Sequence, residues 1–221
     1  MKLSLMFLII GILVSGCSQV QNCQDNINKL PMYGNLKKCR EQIEVDEQFL
    51  KYIDDGHESR NVAAAQLVKR GWEYFYRGQL DTSMMRFNQA WLLDSLNSDV
   101  YWGFANILGS RKDFKASLYF FNRSLKLNSG NAKVWYDQSI SYGNLFVSSN
   151  NKLYLDSSIY VLKKSISLDP HNAQAYSQLT AAYCYFIQKD SAKKYLKLTD
   201  QIAPTAVNEA TRKMLTGGNN H

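Results

Sequence analysis

One interval recurs along this chain and restricts the folds open to it. Gly71, Ala105 and Ser139 stand 34 residues apart, and Thr180 follows after 41. Phe87, Phe121, Leu162 and Leu196 repeat with intervals of 34, 41 and 34. So do Ser83, Ser117, Ser158 and Ala192, and so do Ala90, Ser124, Ser165 and Thr199. Leu93, Leu127, Leu168 and Ile202 add a further apolar column, and Pro170 and Pro204 close the last two units. Three columns hold small side chains and two hold large apolar ones. A unit of this length accommodates two antiparallel helices. Small residues are needed where helix axes approach closely, and large ones fill the space between. The period therefore predicts an all-α stack of hairpins, each burying its apolar face against the next.

This pattern resembles the tetratricopeptide repeat. The resemblance is carried by Trp102 and Trp135 near unit starts, Gly71 and Tyr74 in the first unit, and Pro170 and Pro204 at unit ends. It implies a right-handed α-solenoid of about four hairpins, with units at 64–97, 98–131, 132–172 and 173–206 inside a repeat domain of 61–216. Serines stand where the family prefers alanine, and Ser95 and Ser129 replace the closing proline. The third unit carries seven extra residues between Gly143 and Ser158. Seven residues make about two helical turns, so the insert can lengthen a helix without rotating its buried face. Leu155, Ile159, Leu162 and Ile166 continue one apolar stripe, which predicts a turn near 148–151 and an early start to the second helix. A tolerated insertion and a functional protrusion both fit this stretch. Residues 207–215 read as a helix capping the open end of the stack, before Gly217-Gly218 and a loose tail at 217–221.

Lys2 and the apolar run Leu3–Val14 have the form of an export signal. The run is too short to span a bilayer, which takes about 20 residues. It ends in Val14-Ser15-Gly16-Cys17, which resembles the lipobox of bacterial lipoproteins. That resemblance implies a signal peptide at 1–16 and a covalent lipid on Cys17 that anchors the mature chain in a membrane. Ser18 stands where the family's inner-membrane retention signal often has Asp, so the resemblance favours the outer membrane. Residues 17–37 are polar, contain Pro31 and Gly34, and read as the lipidated cysteine and a tether. An N-terminal capping helix is expected within 38–60. There Lys37–Asp55 is amphipathic, with Ile43, Phe49, Leu50 and Ile53 apolar and Gly56 at its end. Cys17 is assigned to lipid and Cys184 to a repeat helix, which leaves Cys23 and Cys39 as the pair available for a disulfide. Free thiols fit the sequence equally well.

Removing residues 1–16 takes away Lys2 alone and lowers the net charge from +7 to +6. A basic cytosolic chain would raise nucleic acid as a partner. Export argues against that, as does the lack of any Lys or Arg run longer than two residues. The family's concave groove positions fall on Val68, Trp72, Phe75 and Tyr76 in the first unit, and on Trp102, Asn106 and Ser110 in the second. They continue with Tyr136, Ile140 and Asn144 in the third, and Ser177, Ala181, Cys184 and Tyr185 in the fourth. The groove so implied is aromatic, polar and nearly uncharged, with about half of its aromatics packing neighbouring units. The convex helices carry Arg86, Arg123, Lys163, Lys164, Lys194 and Lys197.

Tetratricopeptide co-chaperones grip an acidic C-terminal tail with Lys, Arg and Asn at set positions. Those positions here hold Val68, Trp72, Gly103, Lys133 and Asp137, of which only Lys133 fits. A neutral aromatic groove suits an apolar or extended peptide, or a helix laid along it. Sugar rings stacking on Trp72 or Trp102 are the alternative. No phosphate-binding glycine loop, HExxH, paired CxxC or GxSxG motif occurs, and His57, His171 and His221 lie far apart. No catalytic residue, metal site or cofactor beyond the lipid on Cys17 is expected. The chain resembles the tetratricopeptide lipoproteins of Gram-negative bacteria that serve outer-membrane assembly, pilus or secretin biogenesis, or cell-wall hydrolase regulation. The resemblance implies a lipid-anchored envelope adaptor whose partner is an envelope protein or peptide, with a glycan as the alternative.

Overall fold

The computed structural model describes residues 23–56, 58–186 and 188–216. The signal at 1–16, Cys17 and the tail at 217–221 lie outside these residues. Among the described residues ten α-helices follow one another: α1 Arg40–Asp55, α2 Arg60–Tyr76, α3 Leu80–Leu93, α4 Ser98–Ser110, α5 Phe114–Leu127, α6 Ala132–Ser149, α7 Lys152–Leu168, α8 Ala173–Tyr185, α9 Lys189–Ile202 and α10 Glu209–Thr216. Helices α2/α3, α4/α5, α6/α7 and α8/α9 form antiparallel hairpins that pack in series as a right-handed α-solenoid, with α10 against α8 and α9. First helices of adjoining hairpins also touch one another, α2 with α4 and α4 with α6. That contact puts them on the inner, concave wall and leaves the second helices outside.

Side-chain caps set where the helices begin. Asn97, Asn131 and Asn172 accept from the backbone amides of Asp99, Lys133 and Ala175. Three residues earlier, Asp94, Asn128 and Asp169 accept from the amides of Leu96, Gly130 and His171. Both columns keep the 34 and 41 intervals, so the turns between units are as periodic as the core.

The packing turns on Phe87, which has no exposed surface. A Cβ on Gly71 would lie 2.9 Å from its ring, and one on Gly103 would lie 2.3 Å away. The ring is thus held between the first helix of its own hairpin and that of the next. Trp72 and Phe104 meet it edge-on at 5.5 and 6.3 Å. The equivalent Phe121 and Leu162 are buried in the same way.

Serine replaces alanine for a physical reason. Ser83 Oγ donates to the Gly71 carbonyl at 2.8 Å, Ser117 Oγ to Ala105 at 2.9 Å, and Ser158 Oγ to Ser139 at 3.2 Å. Each bond ties the second helix of a hairpin to the first and contributes about 1 kcal/mol. The apolar column at the ends of the second helices behaves differently. Leu93 is buried on α3, on which the N-terminal segment packs, but Leu127, Leu168 and Ile202 are exposed on helices that this segment does not cover.

The insert is absorbed by both helices of the third hairpin. Helix α6 has 18 residues against 13 in α4, and α7 has 17 against 14 in α5. Asn150, at φ 52, makes the turn, and Asn151 caps α7 by accepting from Leu153. At the far end Val207 is buried, and Asn208 caps α10 by accepting from Thr211, so that helix starts two residues later than the spacing suggested.

The tether reading of 17–37 is corrected from residue 23 onward. Two 3₁₀ turns, Ile27–Lys29 and Pro31–Asn35, pack on α3 and bury Ile27, Met32 and Tyr33. Buried Asn88 donates to the Asn28 and Leu30 carbonyls at 2.8 and 2.9 Å. Arg111 donates to the Lys29 carbonyl at 2.8 Å, while Asp81 pairs with Lys29 at 3.0 Å and with Arg111 at 2.7 Å. A disulfide joins Cys23 to Cys39. Met32, Tyr33, Gly34 and Asn35 have φ of 50, 55, 68 and 54, a left-handed turn that only Gly34 adopts freely. Each other residue in that region costs about 1 kcal/mol. Burial of the Met32 and Tyr33 side chains offsets this. The capping helix is shorter than 38–60. Its 16 residues rest on the core only through half-buried Phe49, Leu50 and Ile53.

Gly103→Ala should lower the thermal midpoint by several degrees despite its better helix propensity, because the added Cβ meets the Phe87 ring. Phe87→Leu in the same chain should recover part of the loss. Circular-dichroism melts that show no change for Gly103→Ala would contradict the interlock.

Candidate binding groove

The first two hairpins give the groove an aromatic floor. Trp72 on α2 and Trp102 on α4 have ring centroids 4.6 Å apart. Tyr76 stacks on Trp72 at 6.0 Å, and Phe75 meets it edge-on at 5.4 Å. With Phe87 behind it, Trp72 is enclosed by four rings, whereas Tyr76 is 78% exposed. The indole N–H of Trp102 donates to Asp137 Oδ2 at 2.7 Å, and Asn106 Nδ2 donates to the same oxygen at 3.1 Å. Burial pushes the Asp137 carboxyl above its ordinary value, against the pull of those two donors and Lys133. Burial also raises Asp99, in the first turn of α4. The nearly uncharged groove expected from the sequence therefore has a partly buried carboxylate at its middle.

The other half of the groove is neutral. A pocket of about 390 Å³ opens between α6, α8 and α10, with Ile140, Val147, Ala181, Cys184, Tyr185 and Met214 among its lining, and no charged residue lines it. Phe146 packs edge-on against Tyr185 at 5.8 Å. Phe146 and Val147 belong to the lengthened end of α6, so the insert builds one wall of the groove. Burial pushes the Cys184 thiol up, which makes it a lining group and a poor nucleophile.

The groove residues expected from the sequence gather mainly in two subsites. Trp72, Phe75, Tyr76, Trp102 and Asn106 come together at the aromatic end, with Phe75 turned toward the core. Asn144 and Tyr185 line the neutral pocket. Tyr136 lies between them, half-buried against the second core cluster. Val68 and Gly103 are buried, so the acidic-tail grip fails on shape as well as charge. Val147 and Met214 were not expected, and Asp137 was expected only as a charge at a groove position. Asp137 falls in the column Lys69, Gly103, Asp137 and Gln178, which keeps no residue type, so the period gives it no signal beyond the charge itself. Val147 lies in the insert and Met214 outside the repeats, where no column exists. Cys23 and Cys39 lie beside Glu41, but their sulfurs are bonded to each other and leave no thiolate for a metal.

A free Asp carboxyl titrates near 3.9. The folded value of Asp137 lies higher, so the ionised form is the unfavourable one, and stability falls as pH rises from about 4 through that value. Asp137→Asn keeps an oxygen for Trp102 and removes the charge. Its thermal midpoint should exceed the native one at pH 7, and the gap should close toward pH 4 in melts taken across pH. A variant less stable at both ends would contradict burial as the dominant influence.

No protein-family model matches the sequence, and no curated protein matches it. Solved structures do match the fold. A crystal structure of MamA, 20% identical, covers 71% of this chain and 85% of its own with a TM-score of 0.56. TTC0263, a thermophilic TPR protein of Thermus thermophilus, is 17% identical and covers 70% of this chain and 80% of its own, with a TM-score of 0.57. MamA from Desulfovibrio magneticus RS-1, from its residue 41 to the end, is 15% identical over 80% of this chain and 87% of its own, with a TM-score of 0.50. The chain has the fold of the tetratricopeptide-repeat proteins.

Proposed function

We propose that the chain is a non-enzymatic scaffold of the bacterial cell envelope, held at the outer membrane by a lipid on Cys17, which grips a partner polypeptide in its concave groove. The observation that carries this reading is the groove itself, with a rigid aromatic floor at one end and a neutral pocket at the other. An amphipathic helix or extended segment fits such a surface, with apolar side chains toward Val147 and Met214. Asp137 makes no ion pair among the described residues. A Lys or Arg of the partner set beside it would pair with the carboxylate and draw its pKa back down. Stacking of a sugar on Trp72 is disfavoured, because other rings enclose that indole. The lipid raises the local concentration of whatever the groove holds, and no covalent step is involved.

Affinity purification from cells tests the groove. The exposed Tyr76 and Tyr185 can be truncated with little damage to the fold. Tyr76→Ala/Tyr185→Ala should cut recovery of the native chain's partner about tenfold or more at unchanged expression. Equal recovery would move the interface elsewhere. Labelled palmitate should enter the native chain and be absent from Cys17→Ala. Label retained in the variant would remove the anchor.

A further inference from the structure

Charge is divided between the two walls of the solenoid. Among the first helices of the last three hairpins, α4 holds one acidic residue, α6 one basic and one acidic, and α8 none. Among the second helices, α5 holds three basic and no acidic residues, α7 three and one, and α9 four and two. Among the described residues, none of the basic side chains on α5, α7 and α9 makes an ion pair. Several lie over tyrosine rings instead. Arg123 is 4.6 Å from the Tyr101 centroid, Lys164 5.8 Å from Tyr160, and Lys194 5.9 Å from Tyr195. Tyr119, Leu153 and Tyr160 are more than half exposed on this row, and Leu127 and Leu168 are also exposed. Unpaired cations beside exposed tyrosine and leucine make the composition of a surface that lies at a lipid headgroup layer, where the rings enter the interface and the ammonium groups meet phosphate.

The folded N-terminal strap adds a second, geometric argument. Residues 23–36 are pinned to α3, the first member of the same outer row, by Asn88 and Asp81, to the end of α4 by Arg111, and to the start of α1 by the Cys23–Cys39 disulfide. Six residue steps separate Cys17 from Cys23. At about 3.5 Å each they span no more than about 21 Å, roughly two helix diameters. A lipid on Cys17 therefore holds the strap, and α3 beneath it, within about that distance of the membrane, and screened attraction over about 10 Å acts on whichever face then meets the surface. Helix α1 has six acidic and two basic residues, so an anionic surface repels the cap while it attracts the row.

We propose that the outer row formed by α5, α7 and α9 docks on a membrane surface bearing anionic phospholipids. The solenoid then lies convex side down, and its groove faces away from the bilayer. This orientation rests on the anchoring of Cys17, whereas the affinity of the row for anionic lipid does not.

Two measurements on the mature chain test the proposal separately from the anchor. In the first, acylated chain is reconstituted on vesicles of phosphatidylcholine alone or mixed equally with phosphatidylglycerol, and its lysines are acetylated and read by mass spectrometry. Lys163, Lys164, Lys194 and Lys197 should lose several-fold of their reactivity on the mixed vesicles, while Lys133 on the inner wall should not. High salt should abolish the difference. The same spectra report the mass of the N-terminal peptide, and an unacylated Cys17 there would fail the anchor alone. In the second, a Cys17→Ser chain lacking residues 1–16 is sedimented with the mixed vesicles. Binding should be salt-sensitive and fall at least tenfold when those four exposed lysines become Glu. Equal lysine labelling on the two vesicle types, or sedimentation indifferent to the four substitutions, would overturn the proposal. Equally tight binding to soluble heparin would also overturn it, because it would show a face that answers to charge alone.

Discussion

Phe87 has no room to be another size. With Gly71 on one side and Gly103 on the other, its ring fills the gap between two successive first helices, and neither glycine tolerates a methyl group without a shift. Burial of such a ring contributes about 1.5–3 kcal/mol, but the geometric consequence matters more. The ring sets how closely α2 and α4 approach, and so how the first hairpin is placed on the second. Phe121 and Leu162 take the same position in later units. The serine bonds to the Gly71, Ala105 and Ser139 carbonyls fix each second helix on its first. A series of such joints brings the inner helices into contact and splays the outer ones, and the groove is the result.

The groove inherits its rigidity from that joint. Trp72 stands edge-on to Phe87, and Trp102 is held against Trp72 while its N–H is bound to Asp137. The aromatic floor is the exposed rim of the core, preorganised to receive a partner with little loss of side-chain freedom. Asp137 is the exception to good packing. A carboxyl raised by burial, with no ion pair among the described residues, costs stability, and groups of that kind concentrate where a surface meets a ligand. The outer wall shows the complementary division, with unpaired cations and exposed tyrosines, and two open pockets on it carry Arg123, Lys126 and Asp156 in their linings. The pocket on the inner wall is neutral and those on the outer wall are charged, and the two walls suit different surfaces.

Repetition made the hairpins legible. Columns of small and large residues at 34 and 41 report packing between neighbours in sequence, and such contacts leave a period. The rest was hidden where contacts are not periodic. The segment 23–36 reads as polar, yet it docks through Asn88, 58 and 60 residues away, and Arg111, 82 away, and no local pattern announces partners at that distance. Leu127, Leu168 and Ile202 share the phase of Leu93, but phase alone does not say which of the outer helices the N-terminal segment covers. Phe146 and Val147 gained their place in the groove from an insert that occurs once. For Asp137 the sequence showed a charge at a groove position, but not the two donors that make it part of the floor.

Photo-crosslinking in living cells measures the central claim, that the concave wall is where a partner sits. A photoreactive residue is placed in turn at Tyr76, at Val147 and, on the outer row, at Tyr160, all three of them exposed. One defined protein adduct should be shared by the Tyr76 and Val147 positions and be absent from Tyr160. An adduct formed only from Tyr160, or from none of the three, would contradict the claim.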